Sequence, residues 1–191
     1  MIEFKNVCFS YGEKIILNNL SFSLSDGKNL LISGVSGSGK TTVAKLILNL
    51  ITADSGTVTS PSSIATVFQE DRLIEQINVF KNICLPLKKN NFNYAEKLLA
   101  EFRLSQIKNK PVYELSGGMK RRVSIIRAIA FGGDALLLDE PFNGIDNDNI
   151  KIIADIINRE YTQKGKSVII ISHNTADAKL FNADILNLCL T

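Results

Sequence analysis

An eight-residue stretch rich in glycine, residues 34–41, carries the strongest chemical signal in the chain. Its sequence, Gly-Val-Ser-Gly-Ser-Gly-Lys-Thr, matches every specified position of a phosphate-binding loop. Glycines let the backbone fold closely around phosphates, and the N–H groups of the loop donate hydrogen bonds to phosphate oxygens. In such loops the lysine, here Lys40, reaches the β- and γ-phosphates, and the hydroxyl of the next residue, here Thr41, binds Mg²⁺. The loop therefore predicts a site for a nucleoside triphosphate with Mg²⁺.

The residues on either side of this loop predict the elements that hold it. Residues 29–33 form a short apolar run typical of a buried strand, and residues 42–51 have apolar residues at helical spacing. Bound phosphates would then lie at the N-terminus of a helix, where free N–H groups and the helix dipole attract anions. The predicted nucleotide contacts in this region are Gly34, Ser36, Gly37, Ser38, Gly39, Lys40, Thr41 and Thr42.

Two further segments have residues suited to phosphate chemistry. Residues 135–138 are Ala-Leu-Leu-Leu, followed by Asp139 and Glu140. A buried strand that ends in two carboxylates suits Mg²⁺ binding by the first and orientation of an attacking water by the second. Residues 116–118, Ser-Gly-Gly, stand before a helical run and offer free backbone N–H groups at a second helix N-terminus.

Hydrophobic patterning places these segments in an α/β fold. Apolar and polar residues alternate in residues 2–11 and 20–24, as in a half-exposed antiparallel sheet. Residues 135–138 and 168–171 are apolar without alternation, as expected for strands buried on both faces of a mostly parallel sheet. From about residue 75 to 130 the spacing becomes helical. One face there is formed by Ala95, Leu98, Leu99 and Phe102. We therefore expect a helical lobe inserted between core strands.

Composition excludes several classes of protein. With 191 residues, 45% hydrophobic and 21% charged, the chain is expected to form one globular domain. Its apolar runs are shorter than the roughly 20 residues of a membrane helix. A net charge of +3 without a basic stripe argues against a nucleic-acid partner. Three scattered cysteines and one histidine support neither a disulfide framework nor a thiol or imidazole metal site.

The order of these motifs resembles that of the ATP-binding cassette (ABC) ATPases, in which an L-S-G-G signature, here residues 115–118, precedes the strand that ends in two carboxylates. The resemblance covers nearly the whole chain. It implies four more functional residues. Tyr11 matches the aromatic residue that stacks on adenine, Gln69 the Q-loop glutamine, Asp146 the D-loop aspartate, and His173 the switch histidine.

The resemblance also implies how the site is divided between subunits. In this family two cassettes pack head to tail, and each ATP lies between the phosphate loop of one and the signature of the other. Catalytic roles would go to Glu140, His173 and Gln69, and Mg²⁺ ligation to Thr41, Gln69 and Asp139. The partner copy would contribute Ser116, Gly117 and Gly118 to the nucleotide. A homodimer is workable because this sequence contains both half-sites.

The family also implies a domain plan. Residues 1–191 would be one ABC ATPase domain, with 1–74 and 131–191 forming a RecA-like core and an antiparallel β subdomain, and about 75–130 forming the helical subdomain. Only 18 residues follow His173, so we expect no C-terminal regulatory domain. Met119 stands where glutamine is commonest after the signature, and signature function is expected to be retained.

The leading functional hypothesis is a cytoplasmic subunit, peripheral on the inner face of the cell membrane, that drives a separate permease. The residue sequences around Gln69 and Met119 most resemble those in the cassettes of nitrate, sulfonate and taurine importers. This resemblance implies a substrate-binding protein that acts through the permease. Residues 70–87, with Val79, Phe80 and Ile83, would contact the permease or else pack in the core.

Two other hypotheses stay open at this point. A soluble ABC ATPase could act as an assembly motor or scaffold, as in iron–sulfur cluster assembly, and its partners would then be soluble proteins. A phosphate-loop kinase would transfer phosphate to an acceptor. The signature and His173 argue against the kinase.

Overall fold

The computed structural model describes residues 1–87 and 91–189. The strands are β1 (Ile2–Tyr11), β2 (Lys14–Leu24), β3 (Asn29–Gly34), β4 (Ser55–Thr59), β5 (Ile64–Val67), β6 (Ala135–Asp139), β7 (Ser167–Ile171) and β8 (Asp184–Leu188). The helices are α1 (Lys40–Ile47), α2 (Val79–Cys84), α3 (Phe92–Glu101), α4 (Gly117–Phe131), α5 (Asn147–Glu160) and α6 (Asp177–Phe181). None of the described helices is long and apolar enough to cross a lipid bilayer.

A five-stranded parallel sheet forms the centre of the molecule, in the order β5-β6-β7-β3-β8. Every residue of β6 and β7 is buried, because helices and the second sheet cover both faces. Asp139 pairs with Ile171, and Ile32 on β3 also pairs with Ile171. The carboxyl ends of β3, β6 and β7 are therefore side by side, which is where open α/β sheets bind ligands.

An antiparallel sheet in the order β2-β1-β4 packs beside the parallel one. Phe4 and Phe22 stack across β1 and β2 with ring centroids 4.5 Å apart. Alternate residues of β1 are buried, as the sequence pattern predicts. The expected fold class, a mostly parallel α/β core with an N-terminal antiparallel sheet and inserted helices, is confirmed.

Helices α2, α3 and α4 lie between β5 and β6 in the chain and share a core with the parallel sheet. Ala95, Leu98, Leu99 and Phe102 are each at most 1% exposed, as the helical spacing predicts. They belong to the same buried cluster as Leu136 of β6. The proposed division into residues 1–74, 75–130 and 131–191 of one domain stays a prediction.

Helix α1 ends earlier than the sequence predicts. The apolar spacing extends it to Ile51, but the last helical residue is Ile47. Asn49 adopts a left-handed backbone conformation with φ of 53°, which asparagine tolerates and which ends a helix. Leu50 is consequently 59% exposed instead of facing the core.

Candidate active site

A cavity of about 540 Å³ lies at the carboxyl edge of the parallel sheet. Strands β3, β6 and β7 end at it, and the hairpin between β1 and β2 borders it through Lys14 and Ile16. Eleven of the residues predicted for the site line this cavity: Gly34, Ser36, Gly37, Gly39, Lys40, Thr41, Thr42, Gln69, Asp139, Glu140 and His173. Residues as far apart in the sequence as Gly34 and His173 thus converge on one space.

The loop between β3 and α1 has the backbone of a phosphate cradle. Gly37 and Gly39 adopt φ values of 84° and 93°, which favour glycine. A Cβ at Gly34 would lie 2.5 Å from the carbonyl oxygen of Leu188, so a side chain cannot be added there without moving β8. The Lys40 ammonium donates hydrogen bonds to the carbonyl oxygens of Gly34 at 2.7 Å and Val35 at 2.9 Å. The cation is therefore already held at the mouth of the loop.

Ser38, the remaining loop residue, lies beneath the cradle and does not line the cavity. It is 2% exposed, and within the described part of the chain its Oγ has no hydrogen-bond partner. Such a buried hydroxyl is costly unless a ligand or water completes it. The loop is therefore suited to receiving additional polar groups.

The two carboxylates of the cavity differ in their surroundings. Asp139, at the end of β6, is 8% exposed. Burial raises the pKa of Asp139 and the neighbouring Glu140 charge raises it further, while Arg121 and Lys40 oppose the shift. Glu140 follows in a left-handed conformation with φ of 48°, and its N–H donates to the carbonyl oxygen of Ile171 at 2.8 Å. This unusual backbone turns the Glu140 side chain out of the strand direction.

The Glu140 carboxylate meets His173 directly. His173 Nδ1 is 3.0 Å from Glu140 Oε2, and the His173 backbone N–H donates to Oε1 at 3.2 Å. The imidazole itself is 71% exposed and lines the cavity. A carboxylate and an imidazole within hydrogen-bond reach of each other on a cavity wall are groups suited to acid–base chemistry.

A network behind His173 fixes its loop. Ser172 Oγ donates to Asp177 Oδ2 at 2.7 Å and accepts from the Asn174 N–H at 3.0 Å. Asn174 Nδ2 donates to the other oxygen of Asp177 at 3.0 Å. Burial raises the pKa of Asp177, although the Ser172 hydrogen bond opposes this. The loop between β7 and α6 is therefore locked by side chains on both sides of His173.

Besides Ser38, five predicted nucleotide residues lie outside the cavity. Tyr11 is 47% exposed at the end of β1, where it pairs with the cavity residue Lys14 and its hydroxyl accepts from Lys45 at 3.4 Å. Asp146 caps α5 by accepting the Asn149 N–H at 3.0 Å. The others, Ser116, Gly117 and Gly118, form the start of α4. Within one chain, these three residues therefore do not reach the cavity that the phosphate loop borders.

Comparison with known proteins settles the family. The dimeric post-hydrolysis structure of the ATP-binding cassette MJ0796 bound to ADP and Pi superposes with a TM-score of 0.88 at 26% identity, covering 100% of this chain and 96% of that one. The model of the ABC transporter family matches residues 17–143. The chain belongs to the ABC family of ATP-binding cassettes. The cassette is accordingly an ATPase, as the sequence motifs implied.

Relatives of the cassette include import proteins for different cargoes. The zinc import ATP-binding protein ZnuC of Wigglesworthia glossinidia brevipalpis is 33% identical over 180 residues, which cover 91% of this chain and 76% of that protein. The aliphatic sulfonates import ATP-binding protein SsuB 1 of Shouchella clausii is 32% identical over 171 residues, which cover 88% of this chain and 69% of that protein. The expected likeness to sulfonate importers is confirmed. The zinc relative is equally similar, so identity does not distinguish a cargo.

Several residues of this cassette site escape a search for motifs. Lys14 and Ile16 line the cavity only because β2 folds back from Tyr11. Arg121 is 4% exposed and contacts the turn after Asp139. The sequence feature that could have revealed Arg121 is helical periodicity. Position 121 lies four residues before the buried Ile125 and therefore shares the inner face of α4.

The two signature glycines provide a matched pair for a stability test. A Cβ at Gly118 would lie 2.5 Å from the Gly144 carbonyl oxygen, whereas one at Gly117 would meet no described atom within 4 Å. We expect Gly118→Ala to destabilise the nucleotide-free cassette by about 1–3 kcal/mol, because α4 must move away from residue 144. Gly117→Ala should be neutral or stabilise by up to about 1 kcal/mol.

Urea unfolding of the two variants and wild type measures this difference. Equal unfolding free energies for the two alanine variants would show that the start of α4 is not packed against residue 144 in solution.

Proposed function

We propose that this cassette hydrolyses ATP to drive import through separate membrane permease subunits. The observation that carries the proposal is the direct contact of Glu140 with His173 on the cavity that the phosphate loop borders. A carboxylate and an imidazole face the place where a γ-phosphate on Lys40 would lie, which suits hydrolysis better than storage of nucleotide. The import role is supported by two relatives, ZnuC and SsuB 1, which are both named as import ATP-binding proteins.

The donors of the cavity fit ATP with Mg²⁺. Lys40 and the N–H groups of the loop would hold the phosphates, and Tyr11, at the rim beside Lys14, would stack on adenine. Thr41, Gln69 and Asp139 would hold Mg²⁺ through a hydroxyl, an amide oxygen and a carboxylate, the hard oxygen ligands this ion takes. When bound, Mg²⁺ would neutralise charge on the phosphates. Among the described residues, no group of three His, Cys, Asp or Glu is placed to hold a metal ion.

Hydrolysis needs a water held in line with the γ-phosphate. Glu140 would accept a hydrogen bond from this water and polarise it for attack. His173 would stabilise the Glu140 carboxylate through Nδ1 and present the rest of its ring to the γ-phosphate, with Lys40 on another side. Gln69 is exposed on the cavity wall, where its amide could contact both the γ-phosphate and Mg²⁺.

The complete site would require a second copy of the cassette. Ser116, Gly117 and Gly118 do not line their own chain's cavity, and Gly117 is exposed at the start of a 15-residue helix. Packed head to tail, each copy would place this helix N-terminus against ATP on the other. The dimeric form of MJ0796 supports a homodimer. Asp146 would then act at the subunit boundary, through the helix cap that it provides for α5.

The permease would dock on the helical lobe beside the Q-loop, and a substrate-binding protein would act through the permease. Val79 and Ile83, which the sequence offers for this contact, are fully buried in the core and cannot make it. Leu85 and Phe131, 56% and 50% exposed, remain available on this side. The cassette would thus work as a peripheral protein on the cytoplasmic face of the membrane.

Affinity purification from detergent-solubilised membranes of the native cell tests the proposal. Tagged Glu140→Gln protein with ATP would hold the closed state, and tagged wild type without nucleotide is the control. We expect a polytopic membrane protein to be retained. Recovery of soluble partners alone, with the membrane fraction empty, would contradict the transport role and favour the assembly-motor alternative.

A further inference from the structure

Two chain segments leave the parallel sheet at the active site and must be held at a fixed distance. Strands β5 and β6 are neighbours, with Val67 paired to Leu138. Beyond this pair one chain continues into the Q-loop and the other into the turn that carries Glu140. Carbonyl groups on both segments there have left the ladder and need other donors.

Arg121 of α4 provides these donors for both segments. On the β6 side its Nε donates to the Pro141 carbonyl at 3.2 Å, and its Nη2 donates to the Glu140 carbonyl at 2.8 Å and to the Asp139 carbonyl. On the Q-loop side its Nη1 donates to the Gln69 carbonyl at 3.3 Å. Nη1 also reaches the Phe68 carbonyl and Asp71 Oδ1, the latter at 3.3 Å.

The chemistry of this contact requires an arginine. The guanidinium is planar and has five N–H donors in a fixed fork, so it can bind acceptors on two sides at once. It is 4% exposed, and burying a charge is costly unless hydrogen bonds replace its water. Carbonyl dipoles from the two segments and the Asp71 carboxylate supply that replacement. A lysine ammonium has a single nitrogen and cannot span both segments in this way.

We propose that Arg121 is a positioning residue for ATP hydrolysis, which ties the Q-loop and the Glu140 turn to each other and to the signature helix. The inference rests on the proposed function and deepens it. Ser116 begins the same helix that carries Arg121 one and a half turns later. A nucleotide held at the start of α4 would therefore act, through Arg121, on Gln69 and Glu140 of the same chain.

Arg127 provides a matched control on the same helix. It donates to the carbonyl oxygens of Asp71 at 3.0 Å and Arg72 at 2.8 Å, so it also holds the Q-loop. No hydrogen bond joins it to the Glu140 turn within the described residues. Arg127→Lys thus disturbs one segment, whereas Arg121→Lys disturbs the link between the two.

The test compares steady-state ATPase kinetics, nucleotide affinity and thermal unfolding for the full-length wild type, Arg121→Lys, Arg121→Gln and Arg127→Lys. We expect kcat to fall about 10- to 100-fold in both Arg121 variants, because small displacements of catalytic groups cost this much. Affinity for a fluorescent ATP analogue should change less than about threefold, since Arg121 does not touch the phosphate loop. Arg127→Lys should keep kcat within about threefold of wild type.

Three results would overturn the role of Arg121. These are a kcat in Arg121→Lys equal to that of Arg127→Lys, a loss of kcat that only parallels a loss of nucleotide affinity, and failure of both Arg121 variants to fold. The last would assign Arg121 to stability alone. Absence of turnover in wild type would instead contradict the proposed function itself, so the two failures are distinguishable.

Discussion

Glu140→Gln should hydrolyse ATP about 10²- to 10⁴-fold more slowly than wild type while binding ATP normally. The amide has nearly the shape of the carboxylate and can keep a hydrogen bond to His173 Nδ1, so the cavity should stay intact. It cannot take charge or a proton from the attacking water. The attacking water would therefore lack a general base, although ATP would still bind to the phosphate loop.

The same variant should accumulate as a dimer in the presence of ATP and Mg²⁺. Nucleotide that binds between two copies favours the closed form by mass action, and hydrolysis normally removes it. Size-exclusion chromatography with light scattering measures the shift from monomer to dimer, and phosphate release measures turnover. Asp155→Asn, on the exposed face of α5, is the control. Turnover at the wild-type rate in Glu140→Gln would remove Glu140 from its assigned role.

Lys40→Ala should show the opposite pattern, with the defect in binding. Loss of the ammonium removes charge-assisted hydrogen bonds to the phosphates, and we expect affinity for ATP to fall roughly 10- to 100-fold. The carbonyl groups of Gly34 and Val35 also lose their donor, which loosens the cradle. No ATP-dependent dimer should form at nucleotide concentrations that saturate wild type.

Equilibrium titration with a fluorescent ATP analogue measures this affinity, and Lys151→Ala on α5 controls for the loss of one positive charge at an exposed position. Wild-type affinity in Lys40→Ala would exclude the residue from phosphate binding. A normal affinity with slow turnover would place Lys40 in the chemical step. The roles of Lys40 and Glu140 stay predictions that these two variants test.

Local sequence was enough to predict the family, the fold class and most of the residues around the main cavity. A phosphate loop must be glycine-rich because its backbone approaches the ligand, and this requirement appears directly in residues 34–41. Buried strands and the inner face of α3 follow from spacing alone, because period and burial are linked by the geometry of each element. Eleven of the predicted site residues therefore line one cavity.

Contacts between distant segments could not be predicted in this way. The sequence favours the core for Val79 and Ile83 but leaves a docking surface open, and packing against α4 and the sheet buries both. Helix α1 stops at Ile47 because Asn49 enters the left-handed region, although the apolar spacing continues. Burial of Val79 and Ile83 depends on neighbours that the local pattern does not contain, and the end of α1 depends on a backbone conformation that apolar spacing does not reveal.

The motifs of the chain thus predict which groups would hold the phosphates, because a loop or a helix start is built from residues that are adjacent in the sequence. The surroundings of the Glu140 carboxylate depend on the folded chain. Glu140 meets His173 because β6 and β7 are adjacent in the sheet, and Arg121 joins the Q-loop to the Glu140 turn because α4 lies over the ends of β5 and β6. A guanidinium that binds backbone carbonyls leaves no motif, since every residue type has the same carbonyl group.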